Sequence, residues 1–277
     1  MALAIDSTVR FFSGNHIYRL GFGVYKIANE NTKAAVLEAL RTGYRHIDAA
    51  ALYENEGGIS EAIQASGIPR SEIFLTTKIA TAGHSYDSAI REIDDSLQRL
   101  QVDYVDLYLI HEPLGGAATR MAIWKALITA KKAGKIKDIG VSNYNIKHLE
   151  EIQDSGLELP VLNQIELHPL DQQRPIVKWC DEHDIKVSAH CPLIRGRFNI
   201  PVLQELAQKY KKDPAQVLIR WSLQKGYIPL PKSSRAERIR SNVNVYDFNL
   251  SDAEMESLDK LDKGTDGAIS WNPINAD

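Results

Sequence analysis

Cysteine is nearly absent: the 277 residues contain two, Cys180 and Cys191, too few for a disulfide framework. No run of about eighteen apolar residues occurs, which excludes a membrane-spanning helix. Neither sign of charge dominates, since 33 Lys and Arg against 36 Asp and Glu leave a net charge of −3. That balance argues against nucleic acid or an anionic membrane as the main partner. The opening Met1-Ala-Leu-Ala-Ile-Asp-Ser-Thr8 lacks a basic region followed by an apolar stretch, so the expectation is a protein of the reducing cytoplasm. Metal-ligand spacing is missing as well. His16, His84, His148 and His183 are scattered, and Cys180 with His183 is too little for zinc, so no metal is expected.

Composition is ordinary for a globular chain, 44% apolar and 25% charged, and the pattern is repetitive. Short apolar runs at 20–24, 46–50, 74–79, 105–111, 138–142, 163–168, 186–191 and 227–233 alternate with amphipathic segments. Eight strand-helix units predict an α/β fold, a (β/α)8 TIM barrel forming a single domain over 1–277. No composition shift or long linker supplies the halves of a doubly wound sheet. Ahead of the first unit, Thr8 to Phe12 and His16 to Leu20 flank Ser13-Gly14-Asn15 and read as a β-hairpin able to plug the barrel floor. Beyond the last, Ser251 to Leu261 reads as an extra C-terminal helix with Ser251 as cap and Glu254 three residues on, followed by an aperiodic tail. Asn31 or Thr32 is expected to cap the helix ending at Gly43, and Ser85 the one reaching Leu100. Lys131, Lys132 and Gly134 mark a helix C-terminus.

Catalytic side chains of such a barrel belong at the C-terminal ends of its strands, and here those ends are polar: Asp48 followed by Tyr53, then Lys78, then His111. Singly, each is more often structural. Together they suit carbonyl reduction, in which the oxygen must gain a proton as a hydride reaches carbon. Tyr53 is the expected proton donor, Lys78 the ammonium that lowers its pKa, Asp48 the partner holding that ammonium, and His111 the donor orienting the carbonyl. Paired carboxylates or metal ligands for a hydrolase or isomerase are missing.

These residues lie in Gly43-Tyr-Arg-His-Ile-Asp48, Tyr53-Glu-Asn-Glu56, Thr77-Lys78 and Asp106-Leu-Tyr-Leu-Ile-His111. With Gly140-Val-Ser-Asn143, Asn163-Gln-Ile-Glu-Leu-His-Pro169, Pro231-Lys-Ser-Ser234, Arg238 and Asn242 they span nearly the whole chain. In these motifs the sequence resembles the aldo-keto reductase superfamily, aldose reductase-like carbonyl reductases. The resemblance implies NADPH as hydride source, a small-molecule carbonyl substrate and a monomer. It places Ser142, Asn143 and Gln164 on the nicotinamide carboxamide. Gly23, Val24, Tyr25, His190, Cys191, Pro192, Leu193, Arg197 and Asn242 fall along the cofactor, and Lys232, Ser233, Ser234, Arg235 and Arg238 at the 2′-phosphate. A helix N-terminus there favours an anion, although Ser234 with Glu237 also reads as a capping box. Gly21-Phe-Gly23 lacks the third glycine of a dinucleotide fingerprint and reads as a close approach to cofactor or substrate. A non-catalytic NADPH-binding regulatory or structural barrel is the alternative, which fold alone does not separate.

Departures from the family pattern carry expectations of their own. His190 stands where many relatives stack a tyrosine on the nicotinamide, and Ser241 where they place a glutamate near adenine. Glu112 and Tyr25 replace tryptophans, which predicts a polar mouth and a preference for polar carbonyl compounds. Trp271, in the tail, is expected to cover the substrate, while Trp124, Trp179 and Trp221 fall in helices and read as packing residues. The short stretch Ile194-Arg-Gly-Arg197 predicts a partial clamp on the cofactor and fast cofactor exchange.

Overall fold

The computed structural model describes residues 3–277, so the first two residues of the leader reading lie outside it. A hairpin opens the chain: β1 (Thr8–Arg10) pairs antiparallel with β2 (His16–Tyr18), Val9 opposite Ile17, with Gly14 at φ 97° in the turn. The alternation then runs β3 (Gly21–Gly23), α1 (Asn29–Thr42), β4 (His46–Asp48), α2 (Glu56–Ser66), β5 (Phe74–Ile79), α3 (Tyr86–Leu100), β6 (Val105–Ile110) and α4 (Gly116–Lys132). It continues through β7 (Ile136–Ser142), α5 (Ile146–Asp154), β8 (Leu162–Glu166), α6 (Arg174–Glu182), β9 (Lys186–His190), α7 (Pro201–Tyr210), α8 (Pro214–Gln224), β10 (Ile228–Pro229), α9 (Ala236–Val243) and α10 (Asp252–Asp259).

Strands β3 to β10 form one parallel eight-stranded sheet in sequence order. The Gly23 N–H closes it by donating to the Pro231 carbonyl, 3.1 Å away, beyond the opposite edge. Every residue of β4, β5, β6 and β8 is buried, as strands covered on both faces require. The glycines of β3 serve this closure. A Cβ on Gly21 would lie 2.5 Å from both the His46 ring and the Leu230 side chain, and one on Gly23 3.2 Å from the Leu230 carbonyl. Gly21 therefore answers to barrel packing rather than to a ligand, correcting the sequence-based expectation.

Phe11 and Ile17 pack with Phe74, Leu107, Leu109, Val161, Leu162 and Ile228 in a cluster separate from the main core. The hairpin thus seals the floor and leaves the C-terminal mouth for chemistry. Among the described residues no helix is long and apolar enough to cross a membrane.

Helix ends follow local chemistry in some places and tertiary demands in others. Ser85 and Ser251 cap α3 and α10 in capping boxes with Ser88 and Glu254. Helix α1 starts earlier than Asn31 or Thr32 predicts, after Ala28, and the Thr32 hydroxyl is spent on the Ala28 carbonyl at 3.0 Å. The expected Ser234–Glu237 box is absent: α9 begins after Arg235 with no side-chain cap. Trp124 and Trp221 are fully buried, while Trp179 stacks on His183 with ring centres 3.7 Å apart.

Candidate active site

The strand ends bring the four expected catalytic residues together. Lys78, fully buried in β5, donates to Asp48 Oδ1 at 2.6 Å and to the Ala49 carbonyl at 2.7 Å. The other Asp48 oxygen accepts from Gln164 Nε2 at 2.7 Å, so each charge has the partners a buried ion needs. Tyr53 ends a 3-10 turn, Ala51–Tyr53, immediately after β4. Its hydroxyl lies 3.4 Å from His111 Nε2, and its ring centre 5.2 Å from Lys78 Nζ. The motif around Tyr53 is itself braced: Asn55 Nδ2 donates to the Val24 and Ile27 carbonyls, and buried Glu56 accepts from Thr77 Oγ1 at 2.6 Å and from Arg99 Nε at 2.7 Å.

The electrostatics differ from expectation in one respect. Burial, then the charge of Asp48, pushes the Tyr53 phenol well above its usual pKa, because Lys78 is already committed to Asp48. The phenol is therefore protonated at neutral pH. Burial, with Lys78 and His190 adding to it, holds His111 well below its usual value, so the imidazole is neutral.

Residues expected around the nicotinamide form a tight network. Ser142 Oγ donates to the Gln164 carbonyl at 2.9 Å. Asn143, at φ 61°, donates from Nδ2 to the His111 carbonyl at 2.9 Å and to Ser142 Oγ at 3.1 Å. Burial lowers His190 to about 4, and its neutral Nε2–H donates to Asn143 Oδ1 at 2.8 Å. Both Nδ2 hydrogens of Asn143 are thereby engaged inside the protein, while its Oδ1 accepts one hydrogen bond and keeps a second lone pair.

Cys191, Ile194 and Arg195 all adopt positive φ, 52°, 44° and 50°. For a β-branched residue such as Ile194 this is a strained backbone, and it folds the short loop after β9 tightly, with Ile194 buried and Arg197 exposed. Pro192 is buried, and Leu193 partly so.

Beyond β10, the buried Ser233 hydroxyl accepts from the Arg235 N–H at 3.1 Å, while Ser234, Arg235 and Arg238 are exposed at the start of α9 and Asn242 is buried in it. Burial and the neighbouring Lys26 both lower the pKa of Lys232. Lys26, exposed at φ 57° in the β3–α1 connection, joins this basic group without any sequence motif, because only barrel closure brings 26 beside 232. Two like charges and an uncapped helix N-terminus fit an anionic group such as the 2′-phosphate of NADPH.

Glu112 corrects the expectation of a polar mouth. Its carboxylate is buried and accepts from the Thr81 N–H at 2.6 Å and from Thr81 Oγ1 at 3.0 Å, with burial raising its pKa. Tyr25 is exposed with its ring centre 5.0 Å from that of Tyr53, and Trp271 stands exposed in the tail. Sequence reasoning missed Glu166. At the end of β8 it accepts from the Ile269 and Ser270 N–H groups at 2.6 and 3.0 Å, from the Ser270 hydroxyl, and from His168 Nε2 at 2.8 Å. Burial raises its pKa, but these donors outweigh burial and bring it to about 2.

A model of the Aldo/keto reductase family matches residues 18–263, from the second hairpin strand to just past α10. The chain belongs to the aldo/keto reductase family. It is an oxidoreductase of that family. This aldo/keto reductase is 41% identical over 265 residues to methylglyoxal reductase DkgA of Escherichia coli (strain K12), covering 95% of this chain and 96% of the relative. Among solved structures it resembles an aldo/keto reductase of Brucella melitensis, with TM-score 0.89, 44% identity, and coverage of 92% of this chain and 99% of the other. It also resembles a Bombyx mori aldo-keto reductase in complex with NADP, with TM-score 0.88, 31% identity and 94% of each chain covered.

Proposed function

We propose that this aldo/keto reductase uses NADPH to reduce an aldehyde or ketone to its alcohol, with Tyr53 as proton donor. The observation that carries the reading is the 3.4 Å separation of the Tyr53 hydroxyl and His111 Nε2, beside a buried and fully paired Lys78–Asp48. A carbonyl oxygen seated between the two accepts from both. Bound NADPH supplies the hydride to the carbonyl carbon.

The protein's own residues do the rest. Neutral His111 donates from Nε2–H and fixes the carbonyl direction. Tyr53, protonated because burial and Asp48 raise its pKa, transfers its proton to the oxygen as negative charge develops there. The phenolate left behind, its ring centre 5.2 Å from the Lys78 ammonium, is reprotonated from water. Asp48 keeps Lys78 charged and in place, and Gln164 keeps Asp48 in place. Lys26, Lys232, Ser233, Ser234, Arg235 and Arg238 hold the 2′-phosphate. Gly23, Val24, Tyr25, Cys191, Pro192, Leu193, Arg197 and Asn242 border the rest of the cofactor, and Ser142, Asn143, Gln164 and His190 its nicotinamide end. The enzyme acts in the cytoplasm on a small-molecule carbonyl compound; its relatives make 2-oxoaldehydes such as methylglyoxal the first to try.

Absorbance of NADPH with a panel of aldehydes, ketones and sugars, for the wild type and Tyr53→Phe, tests this. Turnover by the wild type, lost in the variant while NADPH still binds, is expected. Tight NADPH binding without turnover of any carbonyl would instead mark a non-catalytic barrel.

A further inference from the structure

Glu56 is the first residue of α2, three positions after Tyr53, and its carboxylate is buried. Such a group is costly unless its lone pairs are filled, and here three side chains from two other elements fill them. Thr77 Oγ1 donates to Oε1 at 2.6 Å, Arg99 Nε donates to Oε2 at 2.7 Å, and the Ser96 hydroxyl lies between the two oxygens at 3.1 and 3.2 Å. Ser96 is itself buried and saturated: it gives its one proton to Glu56 and accepts from Arg99 Nη2 at 3.0 Å and from the Tyr108 hydroxyl at 3.2 Å.

This network grips the strands that carry two catalytic residues. Thr77 and Tyr108 are register partners on β5 and β6, and their contacts with α2 and α3 put both on the outer face of the sheet. Side chains alternate across a strand, so Lys78, the next residue after Thr77, turns inward to Asp48. The His111 N–H donates to the Ile79 carbonyl at 2.8 Å and carries the same register to the end of β6. Tyr53 is joined to the network through only two residues, and the first, Glu54, has a left-handed backbone at φ 55°, a conformation held by what surrounds it. Asn55 fixes this turn to the connection after β3. Glu56 fixes it to the strand that carries Lys78.

We propose that Glu56 is a positioning residue for the proton-transfer step: its carboxylate clamps the Tyr53 turn to the outer face of β5 at Thr77 and, through Ser96, to Tyr108 on β6, and so sets the approach of the phenol to the carbonyl oxygen it shares with His111. The inference rests on the reductase reading above and adds to it a residue that touches neither substrate nor cofactor. None of the residues expected along NADPH hydrogen-bonds Glu56 among the described residues, so the clamp governs the rate of reduction and leaves the hold on the cofactor to other elements.

The test is single-turnover reduction of methylglyoxal at saturating NADPH, in ordinary and heavy water, for the wild type, Glu56→Ala, Glu56→Gln and Thr77→Val. NADPH affinity is titrated by fluorescence, and each rate is referred to the fraction of protein that binds NADPH. Glu56→Ala and Thr77→Val are expected to slow the step about ten- to a hundredfold, the scale of a small misplacement of a reacting group. Both raise the solvent isotope effect, because proton transfer then limits the step, and both leave the Kd for NADPH within about twofold. Glu56→Gln keeps an acceptor for the Thr77 hydroxyl, while Arg99 retains Glu92 at 2.6 Å, so it is expected to recover to within about fivefold of the wild type. Thr77→Val keeps the shape of its side chain and carries the test if Glu56→Ala does not fold. A carboxylate that served stability alone would lower the NADPH-binding fraction and leave the rate per bound site and its isotope effect at wild-type values; that result overturns the proposal while leaving the reductase reading intact. A Glu56→Gln rate as low as that of Glu56→Ala overturns the clamp on Thr77, and a wild type that turns over no carbonyl compound overturns both readings.

Discussion

Lys78 gives its ammonium to Asp48, at 2.6 Å, and meets Tyr53 only across the ring, 5.2 Å from its centre. The lysine is thus a buried cation whose charge is balanced before any substrate arrives. Removing one partner strands the other in a low-dielectric interior. Asp48→Asn is therefore expected to lose about 3–5 kcal/mol of stability, and the double variant Asp48→Asn, Lys78→Met to regain much of it. Urea unfolding of the single and double variants measures this; equal losses in both would show that the pair is not the source.

With Tyr53 as the proposed proton donor and His111 as the proposed orienting group, the pH profile follows from their two pKa values. The phenol loses its proton only well above its ordinary value of 10.0, and His111 gains one only well below 6.5. The donor is therefore lost as pH rises through a high pKa, and no acidic limb from His111 falls near neutrality. Single-turnover rates between about pH 6 and pH 10 are expected to be level, with decline only above that span. An inflection near pH 6.5 that disappears in His111→Asn would contradict the assignment.

The barrel and the clustering of Asp48, Tyr53, Lys78 and His111 were legible because both depend on local pattern: β5 occupies 74–79 as its apolar run indicates, and Asp48, Lys78 and His111 sit at the strand ends. What stayed hidden depends on partners distant in sequence. Glu166 looks like one more strand residue until Ile269 and Ser270 fold back onto it across more than a hundred positions. Glu112 follows His111 and suggested a polar mouth, but only the fold reveals Thr81 as its partner. The Ser234–Glu237 spacing satisfied the rule for a capping box, yet the Ser233 hydroxyl takes the Arg235 N–H and α9 starts after Arg235.

Lys26 offers a test of the phosphate site that no motif suggested. Its charge lies beside Lys232 and, with burial, lowers the pKa of that lysine, a repulsion that a 2′-phosphate relieves. Lys26→Ala is expected to raise the KM for NADPH by about three- to tenfold while changing that for NADH much less, and to flatten the salt dependence of NADPH binding. Equal effects on the two cofactors, titrated by fluorescence at low and high salt, would remove Lys26 from the phosphate site.

Asp171, fully buried in the turn after β8, has the Gln173 N–H nearby but no well-aligned hydrogen-bond partner for either carboxylate oxygen among the described residues. Burial, then the charges of Glu166 and Asp262, raise its pKa to about 7. Both neighbours hold the segment that follows α10, Glu166 at 269 and 270 and Asp262 through Gln172 and Arg174. The folded chain therefore binds a proton here that the unfolded chain has released above about pH 4, and the group costs stability progressively as pH rises from there to about 7. Asp171→Asn removes that cost: the variant should match the wild type near pH 4 and exceed it increasingly toward pH 8, by up to about 4 kcal/mol. Thermal unfolding of both proteins across this range measures the difference. A gain independent of pH would mean that the carboxylate is already ionised in the fold, and that something other than Glu166 and Asp262 keeps it without a partner.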